Sequence, residues 1–282
     1  DPDVAEFVIR NRKNPAESIY YLTDTTLSER EEIIACCAKS ESPSTHDRAL
    51  VAYPLLGEYL RPYKFNCDEL SELFNTYFED YKRQKLSNKI DPQFEQQVRE
   101  LAIQRVYNRL YTRNAIFDRI DHDDVYLYWL DALGVEFLGF IQAICREFGL
   151  VIEIHIAQAQ LPTNTRNNRD FYDGWQETHK RHDDRLDEIK HKSSSKYNYQ
   201  HNKLPIHLAQ ELEVVAEALH DIAVKLRLRE YKKVILASDH GASRLAVIKE
   251  QEEKYETDTK GEQSGRCCPF FEGCDLPFAA TS

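Results

Sequence analysis

An aspartate and a histidine stand next to each other where a short apolar segment ends. The segment covers residues 234–237, and Asp239, His240 and Gly241 come shortly after it. We predict a buried strand that presents a carboxylate and an imidazole at its carboxyl end, where open α/β sheets place their functional groups. Both groups are common metal ligands, and the glycine allows the backbone to turn sharply behind them.

Three other stretches carry side chains of similar chemical types. Asp131 follows an apolar run, Thr165 ends the segment LPTNT at 161–165, and Asp187 and His191 are four residues apart. On a helix, that spacing places both side chains on one face, where they can share a metal ion. Each stretch also has an ordinary structural interpretation: Asp131 and Thr165 suit helix caps, and the Asp187–His191 pair suits a surface hydrogen bond.

The order of these residues along the chain resembles that of the metal-binding residues of the alkaline phosphatase superfamily. The local sequence is most similar to the PglZ domain of that superfamily. The similar segments are YLTDTTLSERE at 21–31, LDALG at 130–134, LPTNT at 161–165, LDEIKH at 186–191 and SDHGASRL at 238–245.

The resemblance implies two divalent metal ions, zinc by default, with manganese or magnesium as alternatives because oxygen ligands also accept them. The implied ligands are Asp131, Thr165, Asp239 and His240 for one ion, and Asp187 and His191 for the other. Thr165 rather than Thr163 is the implied nucleophile, because the family places the attacking hydroxyl at the second threonine of such a turn. A helix that begins there would favour phosphate, and Arg166 or Asn167 would bind its oxygens.

One feature departs from the family. PglZ domains usually supply a further histidine for the Asp187 and His191 metal near the C-terminus, and no histidine follows His240 here. Either the core lacks its C-terminal end in this sequence, or the second metal is held weakly at an incomplete site.

The implied activity is hydrolysis of a phosphoric ester, with a slight preference for diesters or nucleotides, in a bacterial phage-defence system of the BREX type. The implied partners are other defence proteins, such as a DNA methyltransferase, and the phosphate-ester substrate, with DNA as a further candidate. Two alternatives stay open. The missing histidine favours a non-catalytic scaffold that bridges defence proteins, and a nuclease would use the same site.

A nuclease would need a local basic groove, because the net charge of the chain is −11. The arginines that could line such a groove follow one another at roughly helical spacing: Arg99, Arg105, Arg109 and Arg113. A solvated helix face with acidic neighbours is the simpler interpretation.

The site residues need alternating strands and helices to bring them together. We predict strands at 125–130, 151–157 and 234–237, helices at 134–148 and 208–228, and an irregular polar segment at 173–203. This alternation indicates an α/β fold with a mainly parallel sheet between helices. The resemblance makes residues 122–282 an alkaline phosphatase-like core.

Residues 1–121 are predicted to form an N-terminal region with one strand, at 18–23, followed by helices. Ser28 and Glu31 form the expected capping box of a helix that continues to about residue 39. Further helices are expected at 68–86 and from Pro92 toward residue 120.

The composition excludes some classes of protein. No apolar run approaches the roughly 20 residues that cross a bilayer, so we expect no membrane association. Seven cysteines, four of them in adjacent pairs, make a poor disulfide framework. That usage is typical of a reducing compartment, and we expect a cytoplasmic protein.

Overall fold

The computed structural model describes residues 6–7, 10, 15–40, 42–87, 89–120, 122–160, 163, 165–191 and 207–241. Its helices are α1 (Pro15–Ser18), α2 (Leu27–Lys39), α3 (Pro43–Ala52), α4 (Pro54–Leu60), α5 (Ser71–Ser87), α6 (Pro92–Ile103), α7 (Arg113–Phe117), α8 (Leu138–Glu147), α9 (Thr165–Asn168), α10 (Asp170–Asp173), α11 (Arg185–His191) and α12 (Leu208–Arg227). Its strands are β1 (Val125–Leu130), β2 (Lys180–Asp183) and β3 (Lys233–Ala237).

The three strands form one parallel sheet in the order β2-β1-β3. Every residue of the central strand β1 is buried, as expected for a parallel strand that is covered on both faces. The predicted strands at 125–130 and 234–237 and the predicted helix at 208–228 are confirmed. The fold is rich in α-helix, with a small parallel sheet flanked by helices.

Side chains of β1 alternate between two buried clusters. Tyr126, Tyr128 and Leu130 belong to a large core that also contains residues of α2, α3, α4, α8 and α12. Val125, Leu127 and Trp129 point to the other face and pack with Phe171 and Trp175 in a smaller cluster. Because the large core contains residues from both sides of position 121, the N-terminal helices pack against the sheet's own helices.

The sheet differs from the prediction at two segments. Residues 151–157 do not form a strand, although Ile152, Ile154 and Ile156 are partly buried and alternate with exposed residues. The alternation therefore reflects a segment that the protein covers on one side. Within the described residues this segment joins no sheet, and a single bridge between Thr112 and Gln158 follows it. The irregular segment predicted at 173–203 contains a strand, β2, whose sequence is Lys-Arg-His-Asp. This edge strand is partly exposed, so it does not need the apolar residues that predict a buried one.

The predicted strand at 18–23 is wrong. Helix α1 and a 3-10 turn at Ile19–Tyr21 occupy this segment. Ile19 and Leu22, three residues apart, are buried, whereas Tyr20 and Tyr21 are exposed. That spacing is typical of a helix, but the β-branched and aromatic residues of the segment favoured the prediction of a strand.

Helix α2 does begin with a capping box, two residues earlier than predicted. The hydroxyl of Thr26 accepts a hydrogen bond from the backbone N–H of Glu29 at 3.2 Å, and the Glu29 carboxylate accepts one from the Thr26 N–H at 3.1 Å. The pair therefore replaces the predicted Ser28 and Glu31.

The helix predicted from Pro92 toward residue 120 is interrupted. Helix α6 ends at Ile103, and Arg105 has a φ of 50°, which is left-handed and ends the helical geometry. The four arginines consequently do not form one basic face: Arg99 pairs with Glu95, Arg109 with Glu69, and Arg113 is buried. Within the described ranges, no helix has both the length and the apolar character that a membrane crossing requires.

Candidate metal centre

The carboxyl ends of the three parallel strands lie at one edge of the sheet, and each strand is followed there by an acidic residue. Asp131 follows β1 directly, Asp239 and His240 follow β3, and Asp187 lies in α11, which begins soon after β2. These side chains lie near one another because parallel strands run in the same direction and end at the same edge of the sheet.

Three side chains converge closely enough to hold one cation. Asp131, Asp187 and His240 each offer a ligand atom, and these atoms lie within 4.8 Å of one another. Oδ1 of Asp131 is 3.8 Å from Nε2 of His240. Asp131 and His240 are 4% and 7% exposed, so two of the three groups lie beneath the surface.

Asp239 lies beside this cluster. Its Oδ2 is 3.3 Å from Nε2 of His240, whereas its Oδ1 accepts hydrogen bonds from Nε1 of Trp129 and the backbone N–H of Ala132, both at 3.3 Å. In the described part of the chain, Oδ1 of Asp131 and Oδ2 of Asp239 are buried and accept no hydrogen bond. Buried carboxylate oxygens without donors are costly, and a bound cation would satisfy both.

The tautomer of His240 also fits a metal ligand. Its Nδ1 lies 3.1 Å from the carbonyl oxygen of Gly241. Since a carbonyl oxygen only accepts, Nδ1 carries the proton, and in the neutral ring the lone pair is on Nε2, which faces the cluster.

Thr165 is the first residue of α9, and its Oγ1 lies 3.4 Å from Nε2 of His240. The hydroxyl is therefore next to the cluster. Arg166 and Asn167 follow in the same short helix and are exposed. His191 is the last residue of α11, but its side chain lies outside the described part of the structure, so its pairing with Asp187 on a second ion stays a prediction.

Two residues that hold the site together were not assigned this role from sequence. Arg113 donates to the carbonyl oxygen of Asp239 at 3.2 Å and to Oδ1 of Asn168 at 3.3 Å, so it joins the loop after β3 to the helix of Thr165. His182, in β2, approaches Oδ2 of Asp131 with its Nε2 at 3.0 Å. The charged sequence of β2 does not resemble a strand, so nothing local places His182 at this edge.

The electrostatics of the cluster favour a cation. Burial raises the pKa of Asp131, and the negative charges of Asp239 and Asp187 raise it further, against the hydrogen bond from His182 and the charge of His240. A site in which three carboxylates converge is short of positive charge, which a divalent ion supplies.

Comparisons with known proteins match only the beginning of the chain. A family model described as a domain of unknown function (DUF7863) matches residues 1–40, which contain none of the site residues. No curated protein and no solved structure matches the chain.

Proposed function

We propose that this protein is a metal-dependent phosphoric ester hydrolase whose nucleophile is Thr165. The observation that carries the proposal is the 3.4 Å approach of the Thr165 hydroxyl to His240, a member of the Asp131, Asp187 and His240 cluster. A hydroxyl beside a set of cation ligands is the arrangement that nucleophilic phosphoryl transfer needs.

The residues that would hold the cation are Asp131, Asp187 and His240, with Asp239 at their side. When bound, a divalent ion would neutralise phosphate charge and favour the ionised form of a neighbouring alcohol. The mixed carboxylate and imidazole set suits zinc, and manganese or magnesium would also be accepted.

The chain's own residues define the chemical steps. Oγ1 of Thr165 forms a bond to phosphorus and its proton passes to solvent, which reaches this partly exposed side chain. The bond from phosphorus to the leaving oxygen breaks, and that oxygen takes the electron pair and a proton from water. Water then attacks the phosphorus of the threonine ester, the bond from phosphorus to Oγ1 breaks, and Oγ1 takes a proton from water. A monoester substrate releases phosphate in this step, and a diester releases a phosphomonoester.

The resemblance of the site segments to PglZ domains supports a diester or nucleotide substrate and a place in a phage-defence system. It also makes other defence proteins, among them a DNA methyltransferase, the proposed partners. These parts of the proposal rest on the resemblance alone.

The test uses the purified chain after treatment with a chelator, with zinc, manganese or magnesium added back. The substrates are bis-p-nitrophenyl phosphate, a diester, and p-nitrophenyl phosphate, a monoester. Thr165→Ala should lower kcat on the order of 10³-fold or more, because it removes the nucleophile. Thr165→Ser should retain measurable activity, and zinc binding should persist in both variants.

Thr163→Ala is the matched control, since it removes a threonine from the same segment and should change kcat by no more than a few-fold. Equal rates for Thr165→Ala and wild type would exclude the proposed nucleophile. Metal binding without turnover of either ester would instead support the non-catalytic scaffold.

A further inference from the structure

We infer that Trp129 and His182 form a stacked pair that orients two of the three carboxylates at the metal centre, Asp239 and Asp131, because each ring contacts one oxygen of one carboxylate. The inference rests on the proposed function in one respect: both require that a cation binds at Asp131 and His240. It concerns metal affinity, so it can be tested without substrate.

The pair is built by the register of the sheet. Trp129 in β1 is the direct partner of His182 in β2. Neighbouring parallel strands place such partners side by side on one face, and the two rings stack at 3.7 Å between centroids with an angle of 19°. Phe171 and Tyr172 contact the indole edge-on at 5.5 and 5.1 Å, so further aromatic contacts hold the indole in place.

Each ring of the pair contacts a different carboxylate. Nε1 of Trp129 donates to Oδ1 of Asp239 at 3.3 Å, and Nε2 of His182 lies 3.0 Å from Oδ2 of Asp131. An indole N–H can only donate, so its partner oxygen must accept. With Asp131 ionised, His182 must likewise carry its proton on Nε2.

The remaining oxygen of each carboxylate faces the cluster. Oδ1 of Asp131 and Oδ2 of Asp239 accept no hydrogen bond in the described part of the chain, and they lie 3.8 and 3.3 Å from Nε2 of His240. Rotation of a carboxylate about its last bond is broad, so a donor on one oxygen decides where the other points. The stacked pair, together with the backbone N–H of Ala132 on Oδ1 of Asp239, thus directs two oxygens toward the cation position.

The two rings differ in how deeply they are buried, and therefore in the side from which each contacts its carboxylate. Trp129 is 2% exposed, and its indole can donate a hydrogen bond but cannot accept one. It therefore contacts the Asp239 carboxylate from the interior of the protein. The His182 side chain is 34% exposed and lies at the rim of the site. Groups that hydrogen-bond to metal ligands in this way commonly change metal affinity by about 10- to 100-fold when they are removed.

The experiment measures zinc affinity of the chelator-treated full chain by competition with a chromophoric chelator, in the absence of substrate. Trp129→Phe keeps an aromatic ring but removes the donor, and His182→Phe keeps a stacked ring but removes the other donor. Each should weaken zinc binding about 10-fold or more. His182→Gln retains an N–H donor near the position of Nε2 and should recover most of the affinity.

His122→Ala is the matched control. His122 stacks on the second tryptophan, Trp175, at 4.0 Å and 18°, a geometry close to that of the inferred pair. Its removal should leave zinc affinity unchanged. Far-UV circular dichroism and urea unfolding of each metal-free variant separate loss of affinity from loss of the fold.

The outcomes separate the inference from the proposed function. Wild-type affinity in both Trp129→Phe and His182→Phe, or a wild-type protein that binds no zinc, would overturn the inference. A failure of His182→Gln to exceed His182→Phe would also overturn it, because only packing would then matter. Weaker zinc binding in the variants without ester hydrolysis by the wild type would support the inference and contradict the hydrolase.

Discussion

Asp131 and Asp183 lie at the same edge of the sheet, yet their surroundings shift their pKa values in opposite directions. Burial and the charges of Asp239 and Asp187 raise the pKa of Asp131. Burial would raise the pKa of Asp183 too, but hydrogen bonds from Arg185 and Tyr128 outweigh it and lower the pKa to about 2. The charge of Asp183 is thus compensated by donors within the protein, whereas Asp131 lies close to two further acidic side chains.

Asp131→Asn should therefore stabilise the metal-free protein at neutral pH, on the order of 1 kcal/mol. A raised pKa in the folded state contributes stability below the unfolded value of 3.8, and this contribution is lost as pH rises through the folded pKa. The advantage of the variant over wild type should accordingly grow as pH rises above 3.8. Urea unfolding across pH measures it.

Added zinc should make the wild type more stable than Asp131→Asn, because the wild type gains binding free energy that the variant lacks. A variant that is less stable than metal-free wild type at neutral pH would contradict the account of Asp131.

Asp183→Asn is the neighbouring comparison and should show the opposite dependence. A lowered pKa contributes stability above the unfolded value of 3.8 that is lost as pH falls through about 2. The free energy of unfolding of the variant should be roughly 2 kcal/mol below that of wild type at neutral pH, and this difference should shrink toward acid pH. Parallel pH profiles for the two variants would show that the local charge assignments are wrong.

At the scale of elements, the centre depends on contact between the loops that follow β1 and β3. The hydroxyl of Ser238 accepts a hydrogen bond from the Leu133 N–H at 3.0 Å and donates to the His240 carbonyl at 2.7 Å. A methyl group at Gly241 would lie 3.1 Å from the Cα of Gly134, so these two glycines allow the backbones to approach. The contact sets the separation of Asp131 and His240.

Gly241→Ala should consequently weaken zinc binding and lower stability by about 1–3 kcal/mol, because the loop backbone must move to admit the methyl group. Gly174→Ala is the control. Among the described residues beyond its chain neighbours, no atom lies within 4 Å of the Cβ position at Gly174. Its φ of −77° suits alanine, so the change should be neutral or slightly stabilising. Thermal unfolding and zinc titration give both quantities, and equal effects of the two substitutions would refute the loop contact.

At the scale of the whole molecule, a buried ion pair connects the N-terminal helices to the helices of the sheet. Lys85 of α5 is fully buried, and its Nζ lies 2.6 Å from Oε2 of Glu211 in α12 and 3.7 Å from Oε1 of Glu136. Burial opposes the charge of Lys85, but Glu211 and its neighbours keep the pKa of this amine well above its usual value. The two charges therefore persist inside the protein and depend on each other.

Lys85→Met should destabilise the protein by about 3–5 kcal/mol, since it removes the ammonium that compensates Glu211. The double variant Lys85→Met with Glu211→Leu should recover much of this loss. Both the helical and the sheet regions should lose stability together, which hydrogen exchange of α5 and β1 can detect. Lys232→Met, at an exposed lysine, should leave the unfolding midpoint nearly unchanged.

Much of the element structure follows from local patterns. Apolar runs predicted β1 and β3, and amphipathic patterns predicted α5 and α12 within a few residues. The helix predicted at 134–148 corresponds to α8. Strand β2 has no such signal, because an exposed edge strand gains its order from hydrogen bonds to β1 rather than from its own apolar side chains. The alternation at Ile152–Ile156 is the opposite case: the pattern of a strand is present, but no strand in the described part of the chain pairs with it.

The sequence by itself determined which residue types follow β1 and β3, because the end of an apolar run and the acid or imidazole behind it are both local. It also indicated that the strands run parallel, since helices separate them. Only the tertiary structure decided that Asp131, Asp187 and His240 lie within 4.8 Å, and that Trp129 stacks on His182. Those contacts depend on sheet register and on the approach of two glycine loops, which arise between distant segments and leave no trace in either segment alone.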